Sequence, residues 1–154
     1  MPPPPEKLCI SILRRVAQEA NARFTGLGFI CYSDLDSLAH APMTLPQAEA
    51  VTLPARGLDA VSSFLVRVSC SDSPLHDGFH LISTATMTLT HACQFVAPAI
   101  PSKYHIAGLP VGARHAAALL ASTATGIDAA GLLTASRMAF VYVCGSRVIE
   151  EQLR

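Results

Sequence analysis

Residues 6–32 read EKLCISILRRVAQEANARFTGLGFICY. In the first part of this stretch Leu8, Ile12, Leu13, Val16, Ala17 and Ala20 recur at three- and four-residue intervals, with Arg14, Arg15, Gln18 and Glu19 between them. That spacing gathers one apolar stripe and predicts an amphipathic helix over residues 6–24. Thr25-Gly26 breaks it, and the short apolar run from Leu27 to Tyr32, ended by Ser33-Asp34, reads as a buried strand. A helix feeding directly into a buried strand sets the pattern for the rest of the chain.

Ahead of this unit, the four prolines at residues 2–5 have neither helix nor strand capacity, so residues 1–5 are expected to form a disordered or extended leader. After it, residues 34–54 are proline-containing and mixed, and read as loop with room for one helical turn. Residues 57–68 carry Leu58, Val61, Phe64, Leu65 and Val68 on one side of a second helix, which the prolyl residue of Ser71-Asp72-Ser73-Pro74 stops. The spacing predicts a strand over 79–87 and a helix over 88–96. A long loop over 97–110 follows, of the kind that is usually functional in a small domain. Gly112 then precedes an alanine- and leucine-rich helix over 113–123, and residues 127–134 and 138–144 are strand-like. Helices alternating with strands imply an α/β fold with a mixed central β-sheet flanked by helices. Neither an internal repeat nor a linker divides the chain, so residues 6–154 are expected to be a single domain.

With 154 residues, 51% of them apolar, one sizeable core is expected, burying roughly two-thirds of the extended surface. Eleven basic residues balance eleven acidic ones. No global field then attracts nucleic acid or an anionic membrane, and any anion site must be local. The longest apolar runs fall far short of the roughly 20 residues that span a bilayer. No basic, then apolar, leader resembles a secretory signal, and a cytoplasmic protein is expected. Five cysteines without a C-x-x-C pair support neither a disulfide framework nor a zinc site. They read as small buried hydrophobes, Cys93 and Cys144 lying inside apolar stretches. His40, His80, His91 and His105 form no i, i+4 pair and read as core or surface histidines.

Two places combine a turn, a glycine and ionisable groups. In Pro74-Leu75-His76-Asp77-Gly78-Phe79 the glycine would let a ligand ring or phosphate approach the backbone, and Asp77 offers hard oxygen ligation to a divalent cation. In Leu109-Pro110-Val111-Gly112-Ala113-Arg114-His115-Ala116 a helix begins just after a glycine. Free N–H groups, the helix dipole and an arginine fork can converge there on a phosphate.

In this order, Leu75-His76-Asp77-Gly78 and, about thirty-five residues on, Gly112-Ala113-Arg114-His115-Ala116-Ala117-Ala118 resemble the paired L-H-D-G-A and G-T-R-H-R-A-A motifs of the diadenylate cyclase domain. That family condenses two ATP molecules into cyclic di-AMP between two face-to-face domains, using a divalent metal. The resemblance implies a nucleotide site made by His76, Asp77, Gly78, Phe79, Gly112, Ala113, Arg114 and His115. It implies a catalytic and metal-binding role for Asp77, with Mg2+ or Mn2+ accompanying the nucleotide, and a homo-oligomer. Phe79 stands where the family has alanine, Ala113 where it has threonine and Ala116 where it has a second arginine. The family's acidic segment falls near Thr134-Ala135-Ser136-Arg137, which carries a cation instead of carboxylates, expected to repel metal from the reacting phosphates. Phosphoryl transfer depends on placing groups and stabilising charge, so these losses weigh more on turnover than on binding. The expected function is a nucleotide-binding, sensor-like domain with a degenerate site. The alternatives are an active cyclase in which Lys103 or Arg137 substitutes, and a protein-interaction domain in which the Phe79 ring fills the adenine pocket.

Overall fold

The structure, a computed structural model, describes residues 3–43, 53–102, 109 and 112–154. Its order is α1 (Pro5–Glu19), β1 (Gly26–Tyr32), β2 (His40–Pro42), β3 (Ala55–Arg56), α2 (Leu58–Val68), β4 (Phe79–Ser83), β5 (Thr88–Val96), α3 (Ala113–Ala121), β6 (Ile127–Thr134), β7 (Met138–Val143) and β8 (Ser146–Gln152). The strands form one sheet in the order β2-β5-β4-β1-β6-β7-β8, with β3 also paired to β5. Only β1 and β4 run parallel, and the remaining pairs are antiparallel.

The alternation along β1 explains the layers. Phe29 and Cys31 join Ile12, Leu13 and Val16 of α1 and Val61, Phe64 and Leu65 of α2 in one core, whereas Ile30 joins Ala118 and Ala121 of α3 in a second. A strand flanked on both faces must be apolar throughout, and six of the seven β1 residues are buried. The mixed α/β class expected from the sequence is the one observed.

Local boundaries differ in instructive ways. Helix α1 starts at Pro5, at a position where a missing N–H costs nothing. It ends at Glu19, earlier than the apolar spacing suggested. Arg137 fixes that end, its Nη2 donating to the Ala20 carbonyl at 2.9 Å and its Nε to that of Ala17 at 3.3 Å, while the guanidinium lies 6.0 Å from the Phe24 ring centre.

The helix expected over 88–96 is instead strand β5, the second arm of a hairpin that turns at residues 84–87. Thr88, Thr90 and Val96 are β-branched and favour the pleated surface. The spacing looked helical because Cys93, at φ 52, bulges the strand and breaks its alternation. The strand expected over 79–87 correspondingly stops at Ser83. Strand β8 was not anticipated, since alternating Arg147, Ile149 and Glu151 look like a polar tail until they pair with β7. The loop reading of 34–54 gives way to strand at β2, and residues 44–52 lie outside the described part. Of the 97–110 loop, residues 97–102 and 109 are described and belong to no helix or strand. Cys144 is exposed at the β7–β8 turn, contrary to the buried reading, whereas the other four cysteines are buried. Among the described residues no helix is long and apolar enough to cross a membrane.

Candidate functional site

Both sequence motifs arrive at the end of the sheet where the parallel strands β1 and β4 begin, because one immediately precedes β4 and the other opens α3, whose Arg114 lies over Gly26. Leu75 is buried and anchors the turn before β4, and the next two side chains point outward. Gly112 caps α3 at φ 101, and among the described residues no side chain caps the first-turn N–H groups and a Cβ added at Gly112 would meet only His115, at 3.9 Å. The start of α3 is therefore open to an anion.

Arg114 of that first turn reaches across. Its Nη2 lies 3.6 Å from Asp77 Oδ1, and its Nη1 lies 3.1 Å from the place a Cβ would occupy on Gly26. A bare α-carbon at the start of β1, itself at φ 123, gives the guanidinium its bed. Two cavities flank the arginine. One, of about 420 Å³, is lined by Asp77, Gly78, Phe79, Phe95, Met43 and Arg114 among others. The other, of about 330 Å³, is lined by Gly26, Gly112, Arg114, His115, Thr134 and Ala135 among others. Asp77 and Arg114 thus share a cleft, and the motif residues from Asp77 to Phe79 and from Gly112 to His115 all line one cavity or the other.

Three residues do something other than the sequence suggested. Gly78, at φ 80, is needed because a Cβ would lie 2.9 Å from the Gln94 carbonyl oxygen, so its close neighbour is strand β5 rather than a ligand. The Phe79 ring is buried against Gly28, where an added Cβ would meet it at 2.9 Å. It belongs to the core beneath the cleft and lines the cavity from that side. Arg137 is absent from the lining of both cavities and has its guanidinium on the carbonyls of α1. The expectation that it faces phosphates, whether to repel metal or to substitute in catalysis, is corrected by those hydrogen bonds. Lys103, the other substitute considered, and His105 lie outside the described residues.

The histidines differ sharply. His76 Nδ1 lies 2.6 Å from the Ser73 carbonyl, leaving Nε2 4.0 Å from Asp77 Oδ2. His115 Nδ1 lies 3.0 Å from the Tyr142 hydroxyl and its ring stands edge-on to Phe140, 4.7 Å between centres. Burial, then the charges of Arg147 and Arg114, lower its pKa and favour the neutral imidazole. His80, buried in β4, accepts the Cys93 N–H, and burial followed by Arg114 lowers its pKa to about 4. Sequence reasoning missed Gly26, Met43 and Phe95. Only the sheet brings them to the motifs.

Among the described residues Asp77 is the sole carboxylate lining either cavity, and no group of three or more His, Cys, Asp or Glu side chains could hold a metal ion. One exposed carboxylate suits a Mg2+ or Mn2+ carried mainly by phosphate oxygens, not an all-protein cage.

No protein-family model matches the chain, and no curated protein matches it. Solved structures do. A protein described as a hypothetical membrane spanning protein from Bacillus cereus matches with a TM-score of 0.60 and 16% identity, covering 92% of this chain, which spans 61% of that one. A double cysteine mutant of DacA from Staphylococcus aureus matches with a TM-score of 0.52 and 22% identity, over 94% of this chain and 87% of that one. The fold is therefore similar to that of the diadenylate cyclase DacA.

Proposed function

We propose that the cleft between Asp77 and Arg114 binds the phosphates of a nucleotide, and that the domain senses this ligand without cyclising it. The observation that carries the reading is Arg114 itself, held over Gly26 at the uncapped start of α3 with a cavity on either side. Backbone N–H groups, helix dipole and guanidinium act together on an anion there. A bound phosphate would displace Asp77 from its long, exposed contact with Arg114 at little cost, because such pairs are worth about 0–1 kcal/mol. Magnesium or manganese would enter with the phosphates and Asp77, neutralising charge between them. The ligand's class makes a cytoplasmic setting and a single domain over 6–154 part of the same proposal.

Absence of turnover follows from the wall opposite Arg114. Thr134 and Ala135 line it, the Thr134 hydroxyl lies 3.0 Å from that of Ser136 and accepts the Met138 N–H, and among the described residues no carboxylate lines it. Losing one preorganised electrostatic group costs about a hundred- to a thousand-fold in rate. The exposed Met43 and Phe95 support a second reading, in which this rim binds protein, a second copy included.

Thermal unfolding with ATP, cyclic di-AMP and inorganic phosphate separates the readings. A nucleotide at a hundred times its dissociation constant should add about 2.7 kcal/mol, or several degrees for a domain of this size, and Arg114→Ala should remove the shift. No shift with any of these at millimolar concentration leaves the protein-binding reading. Cyclic di-AMP made from ATP with magnesium or manganese, and abolished by Asp77→Asn, would show an active cyclase instead.

A further inference from the structure

A larger cavity, of about 710 Å³, lies at the opposite end of the central strands, away from Arg114 and Asp77. It opens where the parallel strands β1 and β4 end, at Ser33 and Thr84, with Asp128 near the start of β6 between them. Crevices outside the carboxyl ends of parallel strands are where open α/β sheets take ligands. The polar part is built and fixed. Thr84 Oγ1 donates to Asp128 Oδ2 at 2.8 Å, and the single proton of Ser33 Oγ is shared between Asp128 Oδ1 and the Gly126 carbonyl, each 3.3 Å away. The backbone locks both hydroxyl residues, Ser33 N donating to Gly126 O at 2.8 Å and Thr84 N to Tyr32 O at 2.9 Å.

The remaining wall is apolar. Pro3, Pro4 and Pro5 lead into α1 and, with Leu8 and Met87, close the space. Three prolines make a wall with few conformations to lose on binding. Among the described residues no basic side chain lines the cavity and Asp128 has no ion-pair partner. Its carboxylate accepts from the Thr84 hydroxyl, shares that of Ser33 with the Gly126 carbonyl, and keeps lone pairs free. The result is one negative charge, anchored by neutral donors, at the end of an apolar chamber of ligand size.

We propose that this cavity is a second ligand site, specific for a small organic ammonium ion whose hydrocarbon body lies against the proline wall while its N–H groups donate to Asp128. Charge complementarity favours the cation, since the apolar walls leave the carboxylate poorly screened. The site does not depend on the nucleotide reading.

Calorimetric titration at pH 7 with hexylamine and with 1-hexanol, of equal length but neutral, tests it. The amine should bind saturably at one site, at least tenfold more tightly than the alcohol. Asp128→Asn, which still accepts from Thr84, should weaken the amine at least tenfold. Ala85→Phe, at an exposed turn position lining the cavity, should abolish binding, whereas Arg114→Ala should leave it unchanged. No saturable amine binding, an alcohol that matches the amine, or full affinity in a folded Asp128→Asn would overturn the proposal. Should that variant not fold, the comparison of amine with alcohol on the unsubstituted protein decides alone.

Discussion

Arg114 and Arg137 are both cations at helix termini, on opposite ends and with opposite consequences. Arg137 meets the last carbonyls of α1, where a positive charge complements both the unpaired oxygens and the helix dipole. Arg114 occupies the first turn of α3, where the same dipole disfavours a cation by about 0.3–1 kcal/mol. Its one acidic neighbour, Asp77, is 3.6 Å away and two-thirds exposed. One arginine is satisfied by its own chain. The other is held at a helix start where folding alone gives little reason for it, and that contrast is what a phosphate site predicts.

The contrast is most exposed to test at Arg137. Replacing it with alanine removes two charge-assisted hydrogen bonds, each worth about 1.5–3 kcal/mol, so Arg137→Ala should lower stability by about 3–4 kcal/mol in urea unfolding. A loss below about 1 kcal/mol would put the two arginines in the same class.

Acid titration sharpens the comparison, because Arg114 and not Arg137 lowers the pKa of His80. With a folded value of about 4 against an unfolded value near 6.5, the unfolded chain takes up the proton first. Stability contributed by neutral His80 is complete above pH 6.5, declines through the window down to about pH 4, and is then exhausted. The total is on the order of 3 kcal/mol. Unfolding measured across that window should show this decline, and His80→Leu should flatten it.

The bed of Arg114 comes next. An alanine at Gly26 would lie 3.1 Å from Nη1 and 3.3 Å from the Leu133 carbonyl at φ 123, so Gly26→Ala should cost about 1–3 kcal/mol and weaken any phosphate binding. Unchanged phosphate affinity in this variant would mean that the guanidinium does not need its present position. Arg114→Ala itself should change stability by less than about 1 kcal/mol. The smallest effect is a rise in the His80 pKa in Arg114→Ala, absent in Arg137→Ala, read by proton NMR of the imidazole.

These residues also show how far the sequence could be read. Regular apolar spacing made α1, β1, α2 and α3 legible, and apolar runs gave β6 and β7. Strand β5 was hidden because the bulge at Cys93 shifts which side chains face inward, turning a period of two into something closer to a helix. The motif residues were legible as a pair, since each sits in a short segment with its own turn chemistry. What Arg137 does was not: its partners Ala17 and Ala20 lie more than a hundred residues earlier, and only the order of strands brings them together. The packing of Phe79 on Gly28 was likewise hidden, because Gly28 belongs to a strand remote in sequence.

Strand β1 takes β4 on one side and β6 on the other, with Gly26 opposite Thr134. On a ribosome adding roughly 5–20 residues per second, the central strand of the sheet therefore emerges on the order of ten seconds before its second neighbour exists. For that interval the row from Leu27 to Tyr32 is an unpaired, uncharged edge, the kind that joins other chains. The nascent protein depends on α1 packing early against it, or on a chaperone, to reach Thr134 without aggregating.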